Sequence, residues 1–401
     1  MLRAIWIAIN LLFLIAPGAS HEGTTSDVNA IAAGSAAPGA LKQKRFKHGK
    51  LGHARRIALI WTFNARGGLP YYLELSLATL INSGADNVDV HILTPAIPEI
   101  YTNGSNPNYS YMRQVYFHTV SAQDWTDRVR DRLGVELKYD FASTHRKLAD
   151  LKPMMGFLFQ DLIPPEVYDF WAYGDCDGLF GSFNRLLDLH VLSTYDVVSG
   201  FPLATGQVQV LGGVPLRATG ALTMWRNVPK INSLFMRSVN WRSMLLNGDL
   251  VYAFDEHSRP KHDGEEDMHQ VLEFSHDVRQ CCMNHRQPYV KRGADTAFIT
   301  EMMGRFVETN NSTIYITWRR GQGLSVVADG HYGFGERYKR EGPIEVLFLH
   351  FLQWKYTCGA ELDVVLKGIV SESKKAGKTI FEVDCIQIEG TYKHSFLWRF
   401  C

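Results

Sequence analysis

The stretch FWAYGDCDGLFG, residues 170–181, sets Asp175 and Asp177 one residue apart, behind an aromatic run and ahead of Gly178 and Gly181. Two carboxylates at that spacing are hard oxygen donors suited to Mg2+ or Mn2+, ions that leave coordination positions open for phosphates. If the run is a strand, side-chain alternation turns both acids to one side and Cys176 to the other, towards the core. At the carboxyl end of a strand in an open α/β sheet, the acids would stand in the crevice where ligands bind. The pair alone is a weak signal: 23 aspartates in 401 residues give about one Asp-x-Asp by chance. Two acids capping a turn is the competing reading. The glycines favour a site, because bare backbone lets a bulky ligand approach closely.

Other residues offer chemistry at greater distance in the chain. Lys152 precedes Pro153, and its ammonium either meets a phosphate or stands exposed at a helix start. Asp255 and Glu256, in YAFDEHS, are candidates for a general base on an acceptor hydroxyl, against an exposed acidic turn. His350 lies in an apolar run, where a core histidine competes with a metal ligand. Lys355, five residues on, either neutralises phosphate or is a surface lysine. Gly67 and Gly68, in NARGGLPYY, could approach a nucleotide, but the G-x-G-x-x-G spacing of dinucleotide sites is absent. The segment DGHYGFGERY (Asp329–Tyr338) has the composition of a mobile lid or of a plain surface loop.

The elements that would carry these residues begin at Ile57. IALIWTF reads as a strand, Leu73, Leu77, Leu80 and Ile81 share a helical face, and VDVHIL reads as a second strand. Strand, helix and strand in so short a span is the βαβ unit of a parallel sheet. Further strands are expected at Val115–Val120, Phe170–Tyr173, Tyr195–Ser199, Leu222–Trp225 and Ile344–Phe351, and helices at Ser121–Gly134, Gly156–Leu162 and Ala294–Arg305. The alternation predicts a three-layer α/β domain without internal repeats.

Residues 1–20 carry Arg3, an apolar stretch from Ala4 to Ala16 and then Gly18, Ala19 and Ser20, the pattern of a cleaved signal peptide, with a short signal anchor as the alternative. Residues 21–56 are small and polar, then basic, and read as a flexible stem before a folded domain over 57–401. Sequons at Asn103, Asn108, Asn310 and Asn311 suit a glycosylating lumen. Six cysteines with no C-x-x-C pair argue for structural roles rather than a zinc ribbon or a thioredoxin-like site. With 42 Lys+Arg against 41 Asp+Glu, no nucleic-acid partner is expected.

Lys152-Pro153-Met154-Met155-Gly156 followed by Trp171-Ala172-Tyr173-Gly174-Asp175-Cys176-Asp177 and Gly181 resembles the signature of glycosyltransferase-like proteins of the GT-A type, Lys-Pro-x-x-Gly and then Trp-x-Tyr-x-Asp-x-Asp-x-x-x-Gly. The resemblance continues through GALTMWRNVPKINSLF (Gly220–Phe235), YAFDEHS (Tyr252–Ser258) and LHFLQWK (Leu349–Lys355), over roughly residues 57–355. It implies a GT-A-like α/β/α sandwich with a mostly parallel central sheet. It also implies that Asp175 and Asp177, with His350, hold Mn2+ or Mg2+ on the diphosphate of a nucleotide-sugar donor, bordered by Lys152, Tyr173 and Lys355. An Asp255 or Glu256 base would then favour inversion, and its absence would leave retention open.

Three features depart from the family. The usual Thr-Asp pair after the second strand is Leu93-Thr94-Pro95 here, Gln353 stands where a glycine follows the late histidine, and Lys355 follows His350 at five residues instead of six. The implied activity is sugar transfer to a hydroxyl of a glycan, lipid or protein, in the lumen of the Golgi or endoplasmic reticulum or after secretion. Membrane contact is expected only if the signal stays uncleaved. A catalytically silent glycan-binding relative and a metal-dependent phosphoester hydrolase are the alternatives.

Overall fold

The computed structural model describes residues 56–63, 69–102, 112–187, 189–199, 210–211, 214–215, 220, 222–249, 254, 268–281, 296–300, 313–329, 344–350, 352–391 and 396–400. β1 (Ile57–Thr62) and β2 (Val88–Thr94) are buried almost throughout, as expected of strands covered on both faces. They pair in parallel, Ile57 opposite Val88, and α1 (Leu73–Asn82) makes the crossover. The predicted βαβ unit is present.

β3 (Val115–Thr119) adds to β2, and β4 (Phe170–Gly174) adds to the other side of β1, both in parallel. Beyond these come β5 (Gly178–Phe180), β6 (Val197–Ser199), the two-residue pair β7 (Val210–Leu211) and β8 (Val214–Pro215), β9 (Leu222–Arg226) and β10 (Gln280–Cys281). The central sheet runs β10-β6-β9-β4-β1-β2-β3. Only β9 runs against its neighbours, so this is the mostly parallel central sheet of a mixed α/β protein.

Its two faces bury separate cores. One face sets Ala58, Ile60, Trp171, Tyr173 and Trp225 against helices. Among these is α2 (Ala122–Leu133), which starts in a capping box of Ser121 and Asp124, ends at left-handed Gly134 and buries Trp125, Val129 and Leu133. Those three residues recur every four positions, the stripe that faces a core. The other face sets Ile57, Leu59, Phe170 and Ala172 against α1, a long helix α3 (Leu352–Lys375) and a second sheet.

That second sheet runs β11 (Thr296–Thr300), β14 (Ile344–His350), β13 (Gly323–Asp329), β12 (Thr313–Arg319), β15 (Cys385–Thr391), β16 (Phe396–Phe400). Of these only β14 coincides with an expected strand, Ile344–Phe351. Two helical expectations change. Thr296–Thr300 is a strand paired in parallel with β14, inside the span predicted helical at Ala294–Arg305; its β-branched Thr296, Ile299 and Thr300 suit a pleated surface. Gly156–Leu162 holds only the short helix Met155–Leu158, preceded by a 3-10 segment over His145–Met154. Pro153 withholds a backbone donor there.

A polar chain crosses the helix-covered face. Asp89 pairs with Arg56 and accepts from the Tyr168 hydroxyl at 2.9 Å. His91 Nε2 lies 3.1 Å from that hydroxyl, and His91 Nδ1 lies 3.1 Å from His118 Nε2. Because Tyr168 gives its proton to the carboxylate, His91 donates through Nε2 and accepts through Nδ1. Among the described residues, no helix is long and apolar enough to cross a membrane.

Candidate functional site

β4 ends at Gly174, and Asp175-Cys176-Asp177 forms a bend rather than a continuing strand. The chain then enters β5, which belongs to the second sheet and pairs antiparallel with β14. The acids therefore mark the crossing between the two sheets, at the carboxyl end of the central strand. Strand alternation does not set their directions, but Cys176 packs in the core, as expected. Asp177 is 7% exposed, and the Asp175 side chain is 34% exposed.

α1 pins this bend. The Ser76 hydroxyl lies within hydrogen-bonding range of the Cys176 and Gly178 carbonyls, 2.8 Å for the latter. One turn on, Thr79 Oγ1 accepts from the Phe180 N–H at 3.1 Å, and Ser83 donates to the Phe180 carbonyl at 3.1 Å. Ser83 in turn accepts from the Trp318 indole at 2.8 Å. Three hydroxyls at the helical spacing of one face thus satisfy backbone groups that β5 buries. They were a signal in the sequence, small polar residues interrupting a leucine helix.

The aromatic half of the motif is held as firmly. An added Cβ on Gly156 would stand 2.1 Å from the Trp171 indole nitrogen, so the last glycine of Lys-Pro-x-x-Gly is the space that the first Trp of the next motif fills. Trp171 donates to Asn232 at 2.8 Å, Asn232 to Asn227 at 2.8 Å, and Asn227 to the carbonyls of Ile163 and Tyr168. Trp225 stacks on Trp171 with centroids 5.7 Å apart. These links seat the two motifs against each other.

Lys152 is not an exposed helix-start lysine. Its side chain is 13% exposed, its ammonium lies 3.2 Å from Asp175 Oδ1 and donates to the Gly220 carbonyl at 2.9 Å. It also sits 5.9 Å from the centroid of the Tyr173 ring, a cation–π distance. Tyr72, just ahead of α1, is a neighbour that the motif did not point to. Burial, then Cys176, Asp177, Tyr71 and Asp175, raise the pKa of its phenol, which stays protonated beside the acids.

The backbone register puts His350 opposite Gly178, next to Asp177. Lys355 lies in the first turns of α3. The side chains of His350 and Lys355, Asp255 and Glu256 entire, the Gly67-Gly68 loop and residues 330–338 lie outside the described residues. Phe254 is described: its N–H donates to buried Asp150 at 2.7 Å, and Asp150 pairs with buried Lys147 at 3.1 Å. Thr94, at the Leu93-Thr94-Pro95 departure, closes its own turn by donating to the Ala96 carbonyl at 3.0 Å. Among the described residues, no three His, Cys, Asp or Glu side chains converge on a metal position.

Mouse xyloside xylosyltransferase 1 in its apo form overlaps 56% of this chain and 82% of its own, at 12% identity and TM-score 0.31. An active-site mutant of LgtC overlaps 78% of this chain and 95% of its own, at 15% identity and TM-score 0.36. The apo glycosyltransferase GlyE of Streptococcus pneumoniae overlaps 57% of this chain and 45% of its own, at 13% identity and TM-score 0.29. The α/β architecture stands on its own strand order, apart from these overlaps. None of the curated proteins matches the chain. A protein-family match covers residues 67–360, which is most of the chain and includes the acids, Lys152 and His350. The protein accordingly belongs to the family of unknown function DUF6625.

Proposed function

We propose that the chain is a metal-dependent glycosyltransferase, moving a sugar from a nucleotide-sugar donor to a hydroxyl of a glycan, lipid or protein. The observation that carries this reading is the bend after β4. There Asp175 pairs with the Lys152 ammonium at 3.2 Å, Asp177 is buried two residues on, and His350 is in register opposite Gly178. Two carboxylate donors, one of them partly open, fit Mn2+ or Mg2+, with His350 as the third ligand. Such an ion, when bound, offsets charge on the leaving diphosphate.

The chain's own residues do the rest. Ser76 holds the bend by its carbonyls. Lys152 offers a cation to the diphosphate from a fixed seat on Gly220, with the Tyr173 ring beside it. Lys355 supplies further positive charge, and Asp255 or Glu256 is the base for the acceptor, on a segment anchored at Phe254. A secretory-pathway lumen is supported by the apolar run from Ala4 to Ala16, the four sequons and the disulfide-bonded Cys385.

Mn2+ with UDP or GDP is expected to raise the melting temperature of the purified protein, and Asp175→Asn to abolish the rise. A panel of nucleotide sugars assayed for metal-dependent hydrolysis then identifies the donor. No stabilisation by either nucleotide, with Asp175→Asn behaving as wild type, would remove the reading.

A further inference from the structure

Lys152 combines three features that a phosphate-binding lysine does not need together. Its ammonium touches one of the two acids at 3.2 Å, donates to a backbone carbonyl at 2.9 Å and is largely withdrawn from solvent. The side chain leaves a segment held in place by Pro153 and by the contact of Gly156 with Trp171. The ammonium is therefore seated next to Asp175 before any ligand arrives.

We propose that Lys152 is an internal counter-cation that opposes binding of the divalent ion alone and favours its binding together with a nucleoside diphosphate, so that the two enter as a complex. This rests on the functional reading above. In the free protein the Asp175 carboxylate already faces an ammonium, with Asp177 two residues on. A divalent ion placed on the acids meets a fixed positive charge a few ångströms away, in a partly buried setting where solvent screens weakly. A diphosphate reverses the sign of that effect, because both cations then share an anionic partner. Coupling of this kind is reciprocal: the factor by which the diphosphate raises metal affinity is the factor by which metal raises diphosphate affinity. Removing the lysine charge should act in opposite directions on the two quantities, tightening metal alone and weakening the coupling.

The test is Mn2+ binding by the full chain, measured by titration calorimetry and by the paramagnetic signal of free Mn2+, alone and with saturating UDP or GDP. Lys152→Met is expected to bind Mn2+ alone about tenfold more tightly than wild type and to lose about tenfold of the tightening that the nucleotide confers. Lys152→Arg should keep the wild-type pattern. If Lys152→Met does not fold by circular dichroism, Lys152→Gln supplies the neutral comparison. Mn2+ binding that depends on Asp175 yet is equal or weaker without the lysine charge overturns this proposal and leaves the functional reading standing. Absence of Mn2+ binding in every form, with either nucleotide, overturns both.

Discussion

At the scale of single residues, the site is defined less by its acids than by what fixes them. Gly156 shows this most directly. Trp171 occupies the volume of its missing side chain, and the indole is locked by Asn232 and Asn227. Gly156→Ala must push the indole or its own backbone aside, which costs at least the roughly 1–3 kcal/mol typical of overpacking. Urea denaturation should show that loss, and Mn2+ and nucleotide binding should weaken with it, because Trp171 lies four residues before Asp175. The acids, the glycines and Lys152 were legible as residue types in a pattern. The ion pair between Lys152 and Asp175 was not, since 23 residues separate them and only the fold brings them together. Tyr72 is unmarked in the sequence for the same reason: aromatic residues are common, and nothing local singles one out as a neighbour of the acids.

At the scale of elements, the sequence pattern located β1, α1, β2, β3, α2 and β4 well, because each is an apolar strand run or an amphipathic helix of at least five residues. β5 is only three residues long, too short for a period to register. Its partner β14 lies far along the chain, and pairing at that range leaves no local trace. α1 joins the two sheets through hydroxyls as well as through its leucines. Ser76→Ala removes the donor that holds the Cys176 and Gly178 carbonyls and leaves buried acceptors unsatisfied, at about 1–3 kcal/mol. Ser76→Thr keeps the hydroxyl and should restore most of that stability. Denaturation midpoints of the two variants measure the difference.

At the scale of the whole molecule, acid should weaken the fold through the chain of Arg56, Asp89, Tyr168, His91 and His118. Burial, then His118 and Arg56, lower the His91 pKa to about 3; burial, then Arg128, lower that of His118 to about 4, with Asp161 opposing. Both rings are thus held neutral in the folded state. The unfolded chain takes up protons below its ordinary histidine pKa of about 6.5. The stability is therefore complete above that value and is lost as pH falls from there towards 4 and then 3. The expected loss by pH 5 is about 1–2 kcal/mol per histidine, and urea midpoints at pH 7 and pH 5 should show it. His118→Asn and His91→Gln should flatten that slope.

The crossing from β4 to β5 has a further consequence. Three residues carry the chain from one sheet into another, and each end is fixed by its own register: Gly174 opposite Leu222, Gly178 opposite His350. The interval works as a spacer of set length. One residue inserted between Gly174 and Gly178 would either exchange the faces of Leu179 and Phe180, both fully buried, or set a different residue opposite His350. Insertions elsewhere in surface loops carry no such requirement. Length, as much as chemistry, is what the aspartate pair must preserve.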